Sequence, residues 1–186
     1  MKKIIVALTG ASGIGYGLKL IDVLLNLHYN IHLVVSKGAE IVAKIEEGIE
    51  LDRYKENKNI QVFSENNIAA SIASGSYLTN GMIICPCSVK TLGLIANGLE
   101  TNLIARSASV CLKERRRLVL VIRETPFSLP IIENMKKAFL AGATILPAIP
   151  GFYHKPKTIE DLQNFLVGKI LDQMEIEHNL YKRWGE

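Results

Sequence analysis

Three cysteines in 186 residues, Cys85, Cys87 and Cys111, are too few for a disulfide framework and fit a reducing compartment. Cys85-Pro86-Cys87 is not a CxxC pair, and no second cluster could complete four zinc ligands, so no metal is expected. Cys85 reads instead as the end of a buried strand. Long apolar runs are also missing. The run after Lys2-Lys3 covers about five residues, short of the roughly 7–15 of a signal peptide, and nothing approaches the ~18 of a membrane span. A cytoplasmic protein with no membrane contact is expected. Charge of one sign is missing as well: 22 basic against 18 acidic residues leave a net charge of +4. The basic residues are scattered apart from Lys113-Glu114-Arg115-Arg116-Arg117, so no nucleic-acid surface is expected, and Arg115, Arg116 and Arg117 read as surface or interface residues. Internal repeats and low-complexity segments are absent.

What is present is an ordinary globular composition, 48% hydrophobic and 22% charged, in a length that suits one domain over residues 1–186. Apolar runs of strand length alternate with stretches of helical period. Residues 4–8 read as a strand and 14–27 as a helix, with Ile14, Leu18, Ile21 and Leu25 at three-to-four spacing. A strand at 31–35 completes a βαβ unit, since parallel strands need a crossover. Further on, 39–45 reads as helix, 60–63 as strand, 67–74 as helix and 82–85 as a buried strand. Helices are expected at 89–97 and 102–114, the central strand at 118–122, a helix at 130–141, a short strand at 144–147 and a long helix at 159–174. The sum is an α/β doubly wound domain with a mostly parallel sheet, a Rossmann-like fold. His28 and His32 read as surface residues at a helix–strand junction.

In such folds ligands sit beyond the carboxyl ends of the strands. The stretch LTGASGIGYG, residues 8–17, follows the first strand and suggests a dinucleotide loop. Short-chain dehydrogenases have three residues between the first two glycines, whereas only Ala11 and Ser12 separate Gly10 from Gly13. An acid should also follow the second strand to hold a ribose hydroxyl, but Ser36-Lys37 stands there. Tyr153 and Lys157 are four apart, yet Pro156 between them breaks the helical face that a nicotinamide enzyme would need. What survives is a helix amino terminus near Ile14 with unpaired N–H groups and the Ser12 hydroxyl, a cradle for an anion. A second such end opens at Ser88, after the strand and Pro86, with Thr91 three residues on. Ser88 could equally be a plain N-cap.

Several motifs together carry a family resemblance: TGASG at 9–13, SK at 36–37, SGSY at 74–77, CPCSVKTLG at 85–93, CLKERRRLVLVIRETP at 111–126 and PGFYHKP at 150–156. The chain resembles the flavin prenyltransferases, the UbiX family, from residue 1 to the LDQ at 171–173. The resemblance implies that reduced FMN is alkylated at N5 by the prenyl group of dimethylallyl phosphate, which then closes on C6. The product, prenylated FMN, would pass to a UbiD-type decarboxylase, with a flavin reductase supplying reduced FMN. It also implies no metal and a large homo-oligomer, commonly a dodecamer, with sites at subunit contacts.

Residue by residue, the resemblance assigns flavin binding to Gly10, Ala11, Ser12, Ser36, Ser88, Val89, Lys90, Thr91 and Arg123. It assigns the prenyl phosphate to Arg106, Lys113, Tyr153 and Lys169. Glu124 and Glu46 match acidic active-site positions, and Tyr77 a variable aromatic that shapes the prenyl pocket. The chemistry suits these types. Cations stabilise the departing phosphate, an aromatic face stabilises a prenyl cation, and Glu124 can take the C6 proton, directly or through the phosphate. Glu46 stands beside Glu47 and Glu50 and could instead belong to a solvated helix end, and Arg123-Glu124 could be a structural pair.

Lys169 stands where arginine is frequent, giving a point charge in place of a bidentate fork, and Ile122 replaces a frequent proline. The rivals are an FMN-dependent oxidative decarboxylase of the cysteine-decarboxylase type and a non-catalytic FMN-binding partner subunit of a decarboxylase. The first uses a histidine after its second helix, and this chain has none between His32 and His154. The second would make the clamp residues dispensable, yet Arg106, Lys113, Glu124 and Tyr153 are all present.

Overall fold

Strands and helices alternate along the whole of the computed structural model, which describes residues 2–185. The order is β1 (Lys3–Leu8), α1 (Ile14–Asn26), β2 (Asn30–Val35), α2 (Lys37–Glu47), β3 (Ile60–Ser64), β4 (Met82–Cys87) and α3 (Val89–Ala96), and it continues with α4 (Leu103–Lys113), β5 (Leu118–Ile122), α5 (Leu129–Leu140), β6 (Thr144–Pro147) and α6 (Ile159–Gln173). The sheet runs β3-β2-β1-β4-β5-β6, and all five pairings are parallel. The expected doubly wound α/β fold is what forms.

The strands are continuous apolar runs because both faces of the sheet are covered. Along β1, Ile4, Val6 and Leu8 join the core under α1 and α6, while Ile5 and Ala7 join the core under α3 and α4. Helix starts follow local side chains. Ser36, Ser88 and Asn102 accept from the backbone N–H three residues on, at 3.1, 3.3 and 2.9 Å, and Thr158 with Asp161 forms a capping box that starts α6.

The structure departs from the sequence reading in five places. Residues 67–74 hold no α-helix, only a short 3-10 turn at Ser71–Ala73: Ile68 and Ile72 stand four apart, as on a helix face, but only Ile72 is buried while Ile68 is exposed. The strand expected to stop at Cys85 continues to Cys87, and the register shifts between Ile84 and Cys87. That irregularity sends Cys85 into one core and Cys87 into the other, although residues two apart would normally share a face. β5 is not central, since β1 and β4 occupy the middle and β5 lies one strand from the edge. His32 is buried rather than at the surface, with its Nε2 3.0 Å from the Tyr77 hydroxyl. Burial first, and the nearby Lys3 charge second, lower its pKa against a smaller opposite pull from Gln61. Arg116 also turns inward and donates to the carbonyls of Tyr77 and Gly75, while Arg115 stays exposed and Arg117 pairs with Glu175.

Strand order reverses between β1 and β4, so the loops that follow these two strands part and leave a crevice at the carboxyl edge. No helix among the described residues is long and apolar enough to cross a membrane.

Candidate active site

Thr9, the first residue past β1, ties the two crevice loops together. It is 1% exposed; its hydroxyl donates to Pro86 O at 2.7 Å and accepts from the Ser88 N–H at 2.7 Å. One buried side chain therefore sets the height of α3 relative to the glycine loop. Beyond it, the Ser88 hydroxyl donates to Thr91 Oγ1 at 3.1 Å and accepts from the Thr91 N–H, so the cap is made. The first-turn N–H groups of Val89 and Lys90 have no helical partner of their own. With the hydroxyls beside them and Lys90 exposed at the rim, this end suits a phosphate.

The amino terminus of α1 is different. Glu46, from the last turn of α2, accepts from the N–H groups of Gly13 and Ile14 at 2.9 and 3.0 Å, and the Ser12 hydroxyl bonds the same carboxylate. The anion at this helix end belongs to the protein itself. Glu46 is therefore not part of a merely solvated helix end. Burial pushes the Glu46 carboxyl up, but the Ser12, Ile14 and Gly13 hydrogen bonds and the Arg123 charge outweigh it, leaving the pKa below the ordinary glutamate value. Gly10 meets the start of α2 backbone to backbone: a Cβ on Gly10 would sit 2.9 Å from Gly38 Cα. Buried Ser36 and Ala11 thus line one wall with Gly10.

Arg123 and Glu124 leave β5 on the other side of the crevice. The Arg123 charge reaches Glu46, which brings the end of β5 to the glycine loop, and Glu124 accepts from the Thr125 N–H at 3.0 Å. Ser12, Glu46, Ser88, Thr91, Arg123 and Glu124 therefore share one edge of the sheet.

Tyr153 and Lys169 form a second group, around Phe165 on α6. Tyr153 meets the Phe165 ring edge-on at 5.7 Å, and Lys169 lies one turn further along α6. A hollow of about 330 Å3 opens between β6 and α6, lined by Leu146, Pro147, Ile149, Phe165 and Lys169. Apolar walls with one ammonium at the rim match a short hydrocarbon carrying a phosphate.

Lys113 and Tyr77 do not join these groups within one chain, and Arg106 is bonded to other partners. The Leu103 N–H donates to Glu65 O, just past β3, so α4 starts at the carboxyl edge. Its 11 residues span ~16 Å, and Lys113 ends at the opposite edge, where it pairs with Glu114. Arg106 donates to Ala73 O at 3.0 Å and to Glu100 at 2.7 Å. Tyr77 also lies toward the amino edge, with Lys3 Nζ 4.8 Å from its ring centre. In the single chain, the cation over this aromatic face is Lys3.

Two residues went unread in the sequence. Glu65 follows β3 and accepts from the Lys37 N–H and from Asn102, at 2.8 and 2.9 Å; the rule that inspects residues past each strand finds it. Trp184 packs edge-on to Tyr153 at 5.2 Å and lies past the last matching motif, where no signal marks it. Among the described residues, no group of three or more His, Cys, Asp or Glu could hold a metal ion.

Comparison with known proteins fits this geometry. A family model described as Flavoprotein matches residues 1–171. Flavin prenyltransferase UbiX of Aquifex aeolicus is 47% identical over 99% of both chains, and that of Pseudomonas aeruginosa is 44% identical over 100% of this chain and 95% of its own. The crystal structure of AnUbiX (PadA1) in complex with FMN and dimethylallyl pyrophosphate superposes with a TM-score of 0.95 at 42% identity, covering 100% of this chain and 98% of that one. A dodecameric FMN-dependent UbiX-like decarboxylase from Escherichia coli O157:H7 gives 0.94 at 38% identity, over 99% and 100% of the two chains.

Proposed function

The chain belongs to the flavin prenyltransferase UbiX family, and we propose that it joins the dimethylallyl group of dimethylallyl phosphate to N5 and C6 of reduced FMN, yielding prenylated FMN. The observation that carries this reading is the meeting, at the carboxyl edge, of a helix end at Ser88–Thr91 that holds no acid with Arg123 and Glu124. A phosphate and a planar polar ring fit that pairing.

FMN phosphate takes the Val89 and Lys90 N–H groups with the hydroxyls of Ser88, Thr91 and Ser36. Gly10 and Ala11 let the ring approach the backbone, and Arg123 meets its polar edge. When bound, the reduced flavin supplies electron-rich N5 and C6. The donor's hydrocarbon lies against apolar wall, while Lys169 and the Tyr153 hydroxyl take its phosphate and stabilise the charge that grows as the allylic C–O bond breaks. Closing on C6 consumes the prenyl double bond, so one alkene carbon takes up a proton, delivered by the phosphate or Glu124. As it does so C6 loses one, which Glu124 accepts directly or by way of the phosphate; Glu46 keeps Ser12 in place.

Arg106, Lys113 and Tyr77 complete the site from a neighbouring copy of the chain. Support comes from the separation of Lys113 and Tyr77 from the crevice within one chain and from the family's dodecameric relative. The product passes to a UbiD-type decarboxylase, and a flavin reductase supplies the reduced flavin, in the cytoplasm. An oxidative decarboxylase would need a histidine past α2, and the chain has none between His32 and His154.

Anaerobic incubation with reduced FMN and dimethylallyl phosphate, followed by mass measurement of the extracted flavin, tests the proposal. A gain of one prenyl unit is expected, and unmodified FMN would refute it. Glu124→Gln should still bind FMN but form product roughly 100- to 1,000-fold more slowly, whereas undiminished turnover would remove the assigned role.

A further inference from the structure

Asp172, in the last turn of α6, gathers more partners than any helix end needs. Its carboxylate accepts from Tyr181 OH at 2.8 Å, Arg183 Nη2 at 2.9 Å and His178 Nε2 at 3.1 Å, all from the segment after α6, and Lys169 Nζ stands 3.5 Å away. Burial would raise its pKa, but the bonds from Arg183, Tyr181 and His178 outweigh burial and hold it down to about 2. Tyr181 is pushed up to about 12, by burial first and then by the bond to Asp172. The fold leaves room for this arrangement at one point only: a Cβ on Gly168 would collide with the Tyr181 and His178 rings that lie on α6.

The latched segment reaches the donor side of the site. Tyr181 lies 4.9 Å from the Phe165 ring, and Trp184, the residue after the Asp172-bound Arg183, is edge-on to Tyr153 at 5.2 Å. Phe165 in turn touches Tyr153. One carboxylate therefore governs both groups proposed to hold the donor phosphate: Lys169 by a direct, long ion pair, and Tyr153 through the segment that ends in Trp184.

We propose that Asp172 is a positioning residue for prenyl-donor binding: it latches residues 175–185 onto α6, so that Trp184 braces Tyr153, and it orients Lys169 for the donor's phosphate. The proposal rests on the reading that Tyr153 and Lys169 take that phosphate. Hydrogen bonds to a charged group are strong and geometrically demanding, so removing the charge from Asp172 should free the segment without disturbing the sheet.

Trp184 is the chain's single tryptophan and reports on the segment directly. In the FMN-loaded protein, Asp172→Asn should lower the fluorescence anisotropy of Trp184 and raise the KM for dimethylallyl phosphate about tenfold, with the FMN Kd changed less than about twofold. Arg183→Gln should give part of the same effect and add nothing in the Asp172→Asn background, a non-additivity that general destabilisation does not produce. Unchanged anisotropy and KM in Asp172→Asn would overturn the proposal, as would a freed segment with an unaltered KM. Should Asp172→Asn fail to fold, the double variant Tyr181→Phe with Arg183→Gln makes the same test, with the same two outcomes deciding it. Lys169→Ala separates the underlying reading: a raised donor KM supports it. An unchanged KM there sinks the phosphate assignment, and the link from latch to donor with it, whatever the anisotropy shows.

Discussion

The amino termini of α1 and α3 stand at one crevice, at the ends of adjacent parallel strands, and carry the same backbone dipole, yet they are finished in opposite ways. At α1 a carboxylate from α2, Glu46, takes the Gly13 and Ile14 N–H groups. At α3 the cap is the neutral Ser88 hydroxyl, with a second hydroxyl on Thr91 and no acid in the first turn. The glycine-rich loop, which looks more like a phosphate site, is the one filled from within. A helix end binds a ligand's anion only where the protein has not supplied its own.

Three substitutions probe that contrast. Making α3 resemble α1 should have the largest effect: Ser88→Asp keeps a good N-cap but sets a carboxylate where the FMN phosphate belongs, weakening FMN binding roughly 100-fold by fluorescence titration. Binding within threefold of the parent would mean that the phosphate sits elsewhere. Cutting the link between the two ends comes next. Thr9→Val leaves the Ser88 N–H without its acceptor, while the Pro86 carbonyl keeps the Thr9 N–H, and should cost about tenfold in FMN affinity, whereas Thr9→Ser restores it, because the hydroxyl and not the volume is needed. Equal losses in both variants would point to packing alone.

Neutralising α1's internal anion should do least. Glu46→Gln is expected to lower stability by about 0.5–1 kcal/mol at neutral pH in urea unfolding, since the carboxylate is well exposed. Its pKa is lower in the folded protein, so its contribution is complete above the ordinary glutamate range and is lost as pH falls through the depressed value. The difference between parent and variant should therefore shrink on acidification. A difference that is constant with pH would assign the effect to something other than this charge.

Most elements were legible from periodicity. The α1 stripe of Ile14, Leu18, Ile21 and Leu25, the apolar 118–122 run and the cap residue Ser88 each report a local preference that the fold keeps. The region 67–74 failed because the four-residue spacing of Ile68 and Ile72 fits a helix, yet only Ile72 finds a core to enter. His32 failed because a lone histidine in a strand shows its face only once the register pairs it with Ile5. At the site, Ser36, Ser88, Arg123 and Glu124 were readable as residues that follow strands. Thr9's bridge to Pro86 and Ser88 was not, because 77 and 79 residues of chain separate the partners.

By itself the sequence determined the alternating βα layout, the burial of both sheet faces and the chemical types available past each strand, since these depend on spacing along a single element. Tertiary structure alone decided which carboxylate closes α1, that the Arg123 charge acts on Glu46, and that Lys113 and Tyr77 stand away from the crevice. Those outcomes depend on strand order, helix length and register, which bring together or part residues that no local pattern relates.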